Sequence, residues 1–156
     1  MTYLKQMQSI VTDYRLSEQP WPATAREIAA WAIREGRWKM PAAAVEDRCA
    51  GDVADAMSEL YFTDQKGRRV RALHPAKVKR QGVLFTEWDD IRTATRAHMQ
   101  LSVQQHRRAI VGECKQLKTT LDSYNDAHPG EMPLQMSFDF TMDLLELEAA
   151  NEAAAA

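Results

Sequence analysis

Apolar residues recur over the first fifteen positions at helical spacing. Tyr3, Met7, Ile10 and Tyr14 follow one another at intervals of three and four, with Leu4 and Val11 beside them. Residues so spaced share one face, so residues 2–15 are expected to form an amphipathic helix. Pro20 and Pro22 end it, because proline disfavours helical backbone in the residue before it. Thr24 and Glu27 then match a capping box, in which the hydroxyl accepts from the amide three residues on and the carboxylate reaches back. Ile28, Trp31 and Ala32 supply the apolar stripe behind that cap, and Gly36 supplies the stop. Pro41 suits the first turn of a second short helix, Pro41–Ala50. Asp52 suits the cap of a third, Asp52–Leu60, with Val53, Ala56, Met57 and Leu60 along one side.

After Leu60 the period changes. Tyr61-Phe62-Thr63 is a strand candidate, Asp64-Gln65-Lys66-Gly67 a turn, and Arg68–Leu73 the returning strand. His74-Pro75 is expected to end that strand, and Val83-Leu84-Phe85 is a further β-prone run. Thr86-Glu-Trp-Asp89 reads as a second cap, opening a long helix from Glu87 to about Tyr124. In it Val103, Ile110, Leu117 and Tyr124 recur every seven residues. Cys114 and Leu121 fill the seam between them, and Arg107 interrupts it. This heptad stripe is that of a coiled coil, and these six apolar positions are the candidate homodimer surface. The stripe could instead pack on the chain's own first helix. A helix of about 57 Å, at 1.5 Å per residue, exceeds what a small domain covers and favours self-association. His128-Pro129-Gly130 closes it, and Leu144–Leu147 is expected to form a short helix.

Length and charge sharpen this picture. A chain of 156 residues suits one domain, or a small domain with a helical extension. No apolar run approaches the ~18 residues of a membrane span, and the first residues carry no secretory pattern. Cys49 and Cys114 stand far apart, outside any C-x-x-C pattern, so neither a disulfide framework nor a zinc cluster is expected, and a reducing cytoplasm is. The net charge of −2 conceals segregation. Residues 61–118 carry 13 basic and 5 acidic side chains, whereas residues 119–156 carry 8 acidic ones and no Lys or Arg. A basic middle points to a polyanionic partner. The acidic tail either competes for that surface or simply solubilises the chain.

Three short helices followed by a basic hairpin, over Ala23–Phe85, resemble a winged helix-turn-helix DNA-binding domain. Thr24–Gly36, Pro41–Ala50 and Asp52–Leu60 would be its helices and Tyr61–Leu73 its wing. The long helix resembles the dimerisation helix appended to many winged-helix transcription regulators. The resemblance implies a mainly α fold with a small β-hairpin wing, a winged-helix-like domain plus a long C-terminal helix. Its segments would be 1–86, 87–127 and an acidic tail, 128–156. It further implies a DNA-binding protein, a transcriptional regulator, that contacts phosphates through a basic wing. One stretch departs from that pattern. The third helix carries Asp52, Asp55 and Glu59 and no basic residue, although base edges are usually read by Arg, Lys, Asn or Gln. The departure keeps open a second reading, a non-enzymatic protein-interaction adaptor on the same scaffold.

The candidate nucleic-acid contacts are Lys66, Arg68, Arg69, Arg71, Lys77, Lys79 and Arg80, seven cations on a turn, a strand and a linker. Guanidinium groups bind phosphate bidentately and ammonium groups add point charge. Alternatively these cations form an ordinary solvated face. Arg92, Arg96, Arg107, Arg108, Lys115 and Lys118 extend the charge along the long helix, mostly toward solvent. Trp31 and Trp88, on apolar helical faces, are expected to pack rather than stack on bases, and structure is also favoured for Trp38. His74, His98, His106 and His128 show no i, i+3 or i, i+4 pair that would chelate a metal. No hydrolase, nucleotide-binding or metalloprotease motif is present, so neither catalysis, a cofactor nor a metal is expected. In the tail, Gln135-Met-Ser-Phe-Asp-Phe140 is similar to the hexapeptide by which bacterial replication proteins dock on the sliding clamp. That segment therefore presents a possible protein contact, unless its two phenylalanines anchor the tail on its own domain.

Overall fold

The computed structural model describes residues 2–155. It is mainly α, with five helices and two small antiparallel hairpins among these residues. No helix among them is long and apolar enough to cross a membrane. The chain divides into two units, Met1–Met57 and Ser58–Ala156.

The first unit is built on a helical hairpin. Helix α1 (Tyr3–Leu16) starts where the Thr2 hydroxyl accepts from the Lys5 amide at 3.3 Å. Helix α2 (Ala25–Arg34) opens with the expected capping box. The Glu27 amide donates to the Thr24 hydroxyl at 3.2 Å, and the Glu27 carboxylate accepts from the Thr24 amide at 2.6 Å. Ile10 and Tyr14 of α1 meet Trp31 and Ala32 of α2 in the core, with the Tyr14 and Trp31 rings edge-on at 5.4 Å. Two polar handles close this core. The Tyr14 hydroxyl donates to the Pro20 carbonyl at 3.1 Å, and the Trp38 indole donates to the Tyr3 hydroxyl at 3.0 Å.

The helices expected at Pro41–Ala50 and Asp52–Leu60 are instead one helix, α3 (Ala44–Ser58). It runs through Gly51, which costs a helix interior only about 1 kcal/mol. Asp52 does not cap a new helix, because it lies inside this one, where its carboxylate meets Arg48 one turn earlier at 3.1 Å. Helix α3 fully buries none of its side chains, and Val53 is 49 % exposed. The apolar side expected of a packed third helix is therefore largely open.

The second unit begins with the predicted hairpin. Strand β1 (Tyr61–Thr63) pairs antiparallel with β2 (Arg69–Arg71), placing Phe62 opposite Val70. Its turn is organised by Asp64, whose carboxylate accepts from the amides of Lys66 and Arg68, both at 2.9 Å. Gly67 follows at φ +77°, where glycine avoids a side-chain clash.

Residues 73–90 depart from expectation. His74-Pro75 does not break the chain, because both residues lie in β3 (Leu73–Arg80). Backbone groups of successive strand residues point to opposite edges. The Pro75 carbonyl accepts from Ser102 of the next helix, so the amide that proline lacks would point toward that helix and not into the ladder. The segment Val83–Phe85 extends to Asp90 as β4 (Val83–Asp90), paired antiparallel with β3. Thr86–Asp89 is therefore strand rather than cap, and the expected division between residues 86 and 87 falls inside β4. The helix starts at a different threonine. Thr95 accepts from the His98 amide at 3.2 Å and caps α4 (Arg96–Ala127).

Helix α4 docks along the outer edge of β3. The Ser102 hydroxyl donates to the Pro75 carbonyl at 2.6 Å on that edge, and His98 meets the His74 carbonyl at 2.8 Å at the start of the strand. Gln105 accepts from the Lys77 amide at 2.7 Å and donates to the Lys77 carbonyl at 3.0 Å. Ser102 and Gln105 are three apart on the helix, and Pro75 and Lys77 are two apart on the strand, so one helix face satisfies edge groups that would otherwise be free to pair with another chain. Beyond α4 an extended segment leads into α5 (Thr141–Ala155).

Candidate nucleic-acid interface

The seven predicted cations do not sit together on one wing. Lys66, Arg68, Arg69 and Arg71 belong to the β1–β2 hairpin, and Lys77, Lys79 and Arg80 to β3. The two groups are linked through Ala72. Its amide donates to the Leu60 carbonyl and its carbonyl accepts from the Ile91 amide, so it ties both hairpins together. The linker expected to carry Lys77, Lys79 and Arg80 is thus an ordered strand.

Local carboxylates divide the seven. Arg68 forms an ion pair with Asp64 at 2.7 Å, and Arg80 forms one with Glu87 across the hairpin. Lys66, Arg69, Arg71, Lys77 and Lys79 form no ion pair among the described residues. Tyr61 positions two of them. The Arg69 guanidinium lies over its ring at 3.9 Å, and Arg71 Nε donates to its hydroxyl at 3.2 Å. The latter bond also raises the Arg71 pKa. On β3, Pro75, Lys77 and Lys79 share a face with their partners Trp88, Thr86 and Leu84.

That face and α4 enclose a cleft of about 590 Å3. Arg71, Lys77, Trp88, His106 and Arg108 are among the residues that line it. Trp88 is the main correction to the sequence reading. It is half-buried on β4, not packed on a helical face. By contrast Trp31 is buried as expected, and Trp38 packs against the same core.

No family model, curated protein or solved structure matches the chain. The chemistry of the site rests on its own side chains.

Next to the cleft, Asp90 holds Arg92 at 2.6 Å. Its pKa is lowered to about 2, chiefly by the hydrogen bond from the Arg92 side chain and then by the one from its backbone amide. Asp64 is likewise lowered, with the Arg68 side chain as the main cause. Both carboxylates therefore stay charged at neutral pH and hold their arginines.

The candidate dimer stripe is shared with the tail. Val103, Ile110, Leu117 and Tyr124 are exposed, while Cys114 and Leu121 are half-buried. The Asn125 amide group clips the tail back by donating to the Leu134 carbonyl and accepting from its amide, both at 2.9 Å. Phe138 then shares a groove with Leu121, and Phe140 shares one with Ile110, Cys114 and Leu117. Tyr124 stacks on His128, with ring centroids 4.1 Å apart.

Sequence reasoning missed the contributions of Trp88, His106 and Arg108 to one concave surface. The available signal was Gln81-Gly82 between two β-prone runs, which is the turn that folds β3 onto β4.

Proposed function

We propose that the chain is a DNA-binding protein that contacts the phosphate backbone through its two basic hairpins. The observation that carries this reading is the set Lys66, Arg69, Arg71, Lys77 and Lys79, cations held on ordered strands and a turn with no ion pair among the described residues, although Glu59 acts on Arg71 at longer range. A cation without a partner exchanges only water and counterions for phosphate, and that exchange drives non-specific nucleic-acid binding. The chain-order sequence of helices followed by the β1–β2 hairpin supports a winged-helix-like, regulatory role. The exposed α4 stripe supports a homodimer.

The test is fluorescence anisotropy of a labelled random-sequence duplex titrated over a salt series. Binding should weaken linearly in log affinity against log salt. Replacing Arg69, Lys77 and Lys79 together by Ala should flatten that slope by about 2.7, at about 0.9 per lost phosphate contact. Arg68→Ala, which removes a guanidinium already held by Asp64, should change affinity by less than about twofold. An unchanged slope in the triple variant overturns the assignment.

A second reading, a protein-interaction adaptor, is favoured by α3. It exposes Glu46, Asp47 and Asp55 around its surface, and these repel phosphate. A protein partner that survives nuclease treatment and is lost on replacing Val53 by Asp would support it.

A further inference from the structure

The cleft between the β3–β4 face and α4 has a composition that sets it apart from the rest of the surface. The chain carries 22 acidic residues against 20 basic ones, yet no carboxylate lines this cleft. Its lining brings Arg71 from β2, Lys77 from β3 and Arg108 from α4 together with His74 and His106. None of the three cations has an ion-pair partner among the described residues. The strand-pairing register places Trp88 across from Pro75 and Thr86 across from Lys77, so an aromatic ring and a hydroxyl stand beside the positive charge. The volume, about 590 Å3, lies within the ordinary range of small-molecule sites.

Phosphate alone would need only the cations. The half-buried indole adds a flat apolar surface, and a nucleobase is the planar group that comes attached to phosphate. We propose that this cleft binds one nucleoside monophosphate unit, with its base against the Trp88 indole and its phosphate among Arg71, Lys77 and Arg108. The unit can be a nucleotide within an unpaired strand or a free mononucleotide. A duplex hides both faces of its bases in the stack, so the cleft discriminates against paired DNA. This inference builds on the phosphate-binding reading of the hairpins and adds a preference for unpaired bases.

The experiment uses the full chain and three probes at one salt concentration. These are a labelled oligothymidylate of about 12 nucleotides, within the usual site size for single-strand binders, the corresponding duplex, and thymidine monophosphate as competitor. The single strand should bind at least tenfold more tightly than the duplex. Trp88→Leu should weaken single-strand binding by fivefold or more, the lower end of what one stacked base contributes, and leave duplex binding unchanged. Arg108 is exposed and makes no ion pair among the described residues, so Arg108→Ala keeps the test valid if the Trp88 variant fails to fold. It should weaken single-strand binding about tenfold. Competition by the mononucleotide that disappears in Arg108→Ala identifies the free nucleotide as a ligand in its own right. If only the strand binds, the strand is the source. Mononucleotide binding without any duplex binding would keep the cleft and overturn the hairpin reading. Duplex binding that depends on the hairpin cations, with single-strand binding indifferent to both Trp88 and Arg108, would overturn the cleft and keep the hairpins.

Discussion

Individual side chains here are governed mainly by whether a partner lies close in sequence. Thr24 and Glu27 are three apart, so their reciprocal bonds are visible as a pattern before any fold is known. Arg68 and Asp64 are four apart, and their pairing could likewise be read from the turn. Trp88 could not be placed in this way. Its neighbours on the pleated face lie across the hairpin and on α4, and its own segment looks like a helix start until the pairing is known. Asp90 gives a prediction at this level. Its pKa is lowered from 3.8 to about 2 in the folded chain by Arg92. A carboxylate lowered on folding adds stability above its unfolded value, and that stability is lost as the pH falls through the folded value. The contribution of Asp90 is therefore full above about pH 4 and fades toward pH 2. Asp90→Asn should lower the melting temperature at pH 7 and flatten its decline between pH 4 and 2, as followed by circular dichroism. Parallel curves for the two proteins would contradict the Arg92 pairing.

Among the elements, α1, α2 and the β1–β2 hairpin were legible because each announces itself by local pattern: helical periodicity, a cap, or a turn. The β3–β4 hairpin was not. Pro75 reads as a breaker, and only the docking of α4 on the outer edge of β3 makes it compatible with a strand. The turn is Gln81-Gly82, with φ of +50° and +79°, in place of the Asn-Gly or Asp-Gly pair that usually marks two-residue hairpins. Gly82→Ala forces a side chain into a left-handed conformation and should cost about 1–2 kcal/mol. Gln81→Asn suits the same turn and should be neutral or slightly stabilising. Ser102 tests the helix contact. It is 4 % exposed, and its hydroxyl satisfies the Pro75 carbonyl. Ser102→Ala leaves that carbonyl without its partner and should cost about 1–3 kcal/mol in urea denaturation. A loss near zero would mean that the α4–β3 seam contributes little to stability.

Across the second unit, the heptad stripe of α4 is lined in part by the chain's own tail and is also the stripe proposed for a second copy. Helix α4 has 32 residues, about 48 Å at 1.5 Å per residue, and its docking bonds to β3 involve only its first three turns. The side of the helix away from those bonds keeps Val103 at 59 % and Ile110 at 50 % exposure, an apolar stripe suited to a second copy. The chain's own tail lies along part of the same stripe, clipped by Asn125 to Leu134 and carrying Phe138 and Phe140 into grooves beside Leu121 and Cys114. The sequence of segment 135–140 suits either a docking peptide or an anchor, and its groove-sharing phenylalanines are the physical basis for the second of these. A tail and a second helix cannot both cover Cys114, Leu117 and Leu121, so each should weaken the other. Removing residues 131–156 should therefore lower the dimer dissociation constant at least tenfold in sedimentation equilibrium. The same deletion removes six carboxylates and no cation, so duplex affinity should also rise, most at low salt where charge repulsion is least screened. The two effects separate cleanly. Ile110→Asp in the shortened chain should abolish the tighter dimer by placing a charge in the seam. If the gain in affinity persists in that monomer, it comes from lost repulsion, and if it vanishes, it comes from pairing two basic surfaces on one DNA.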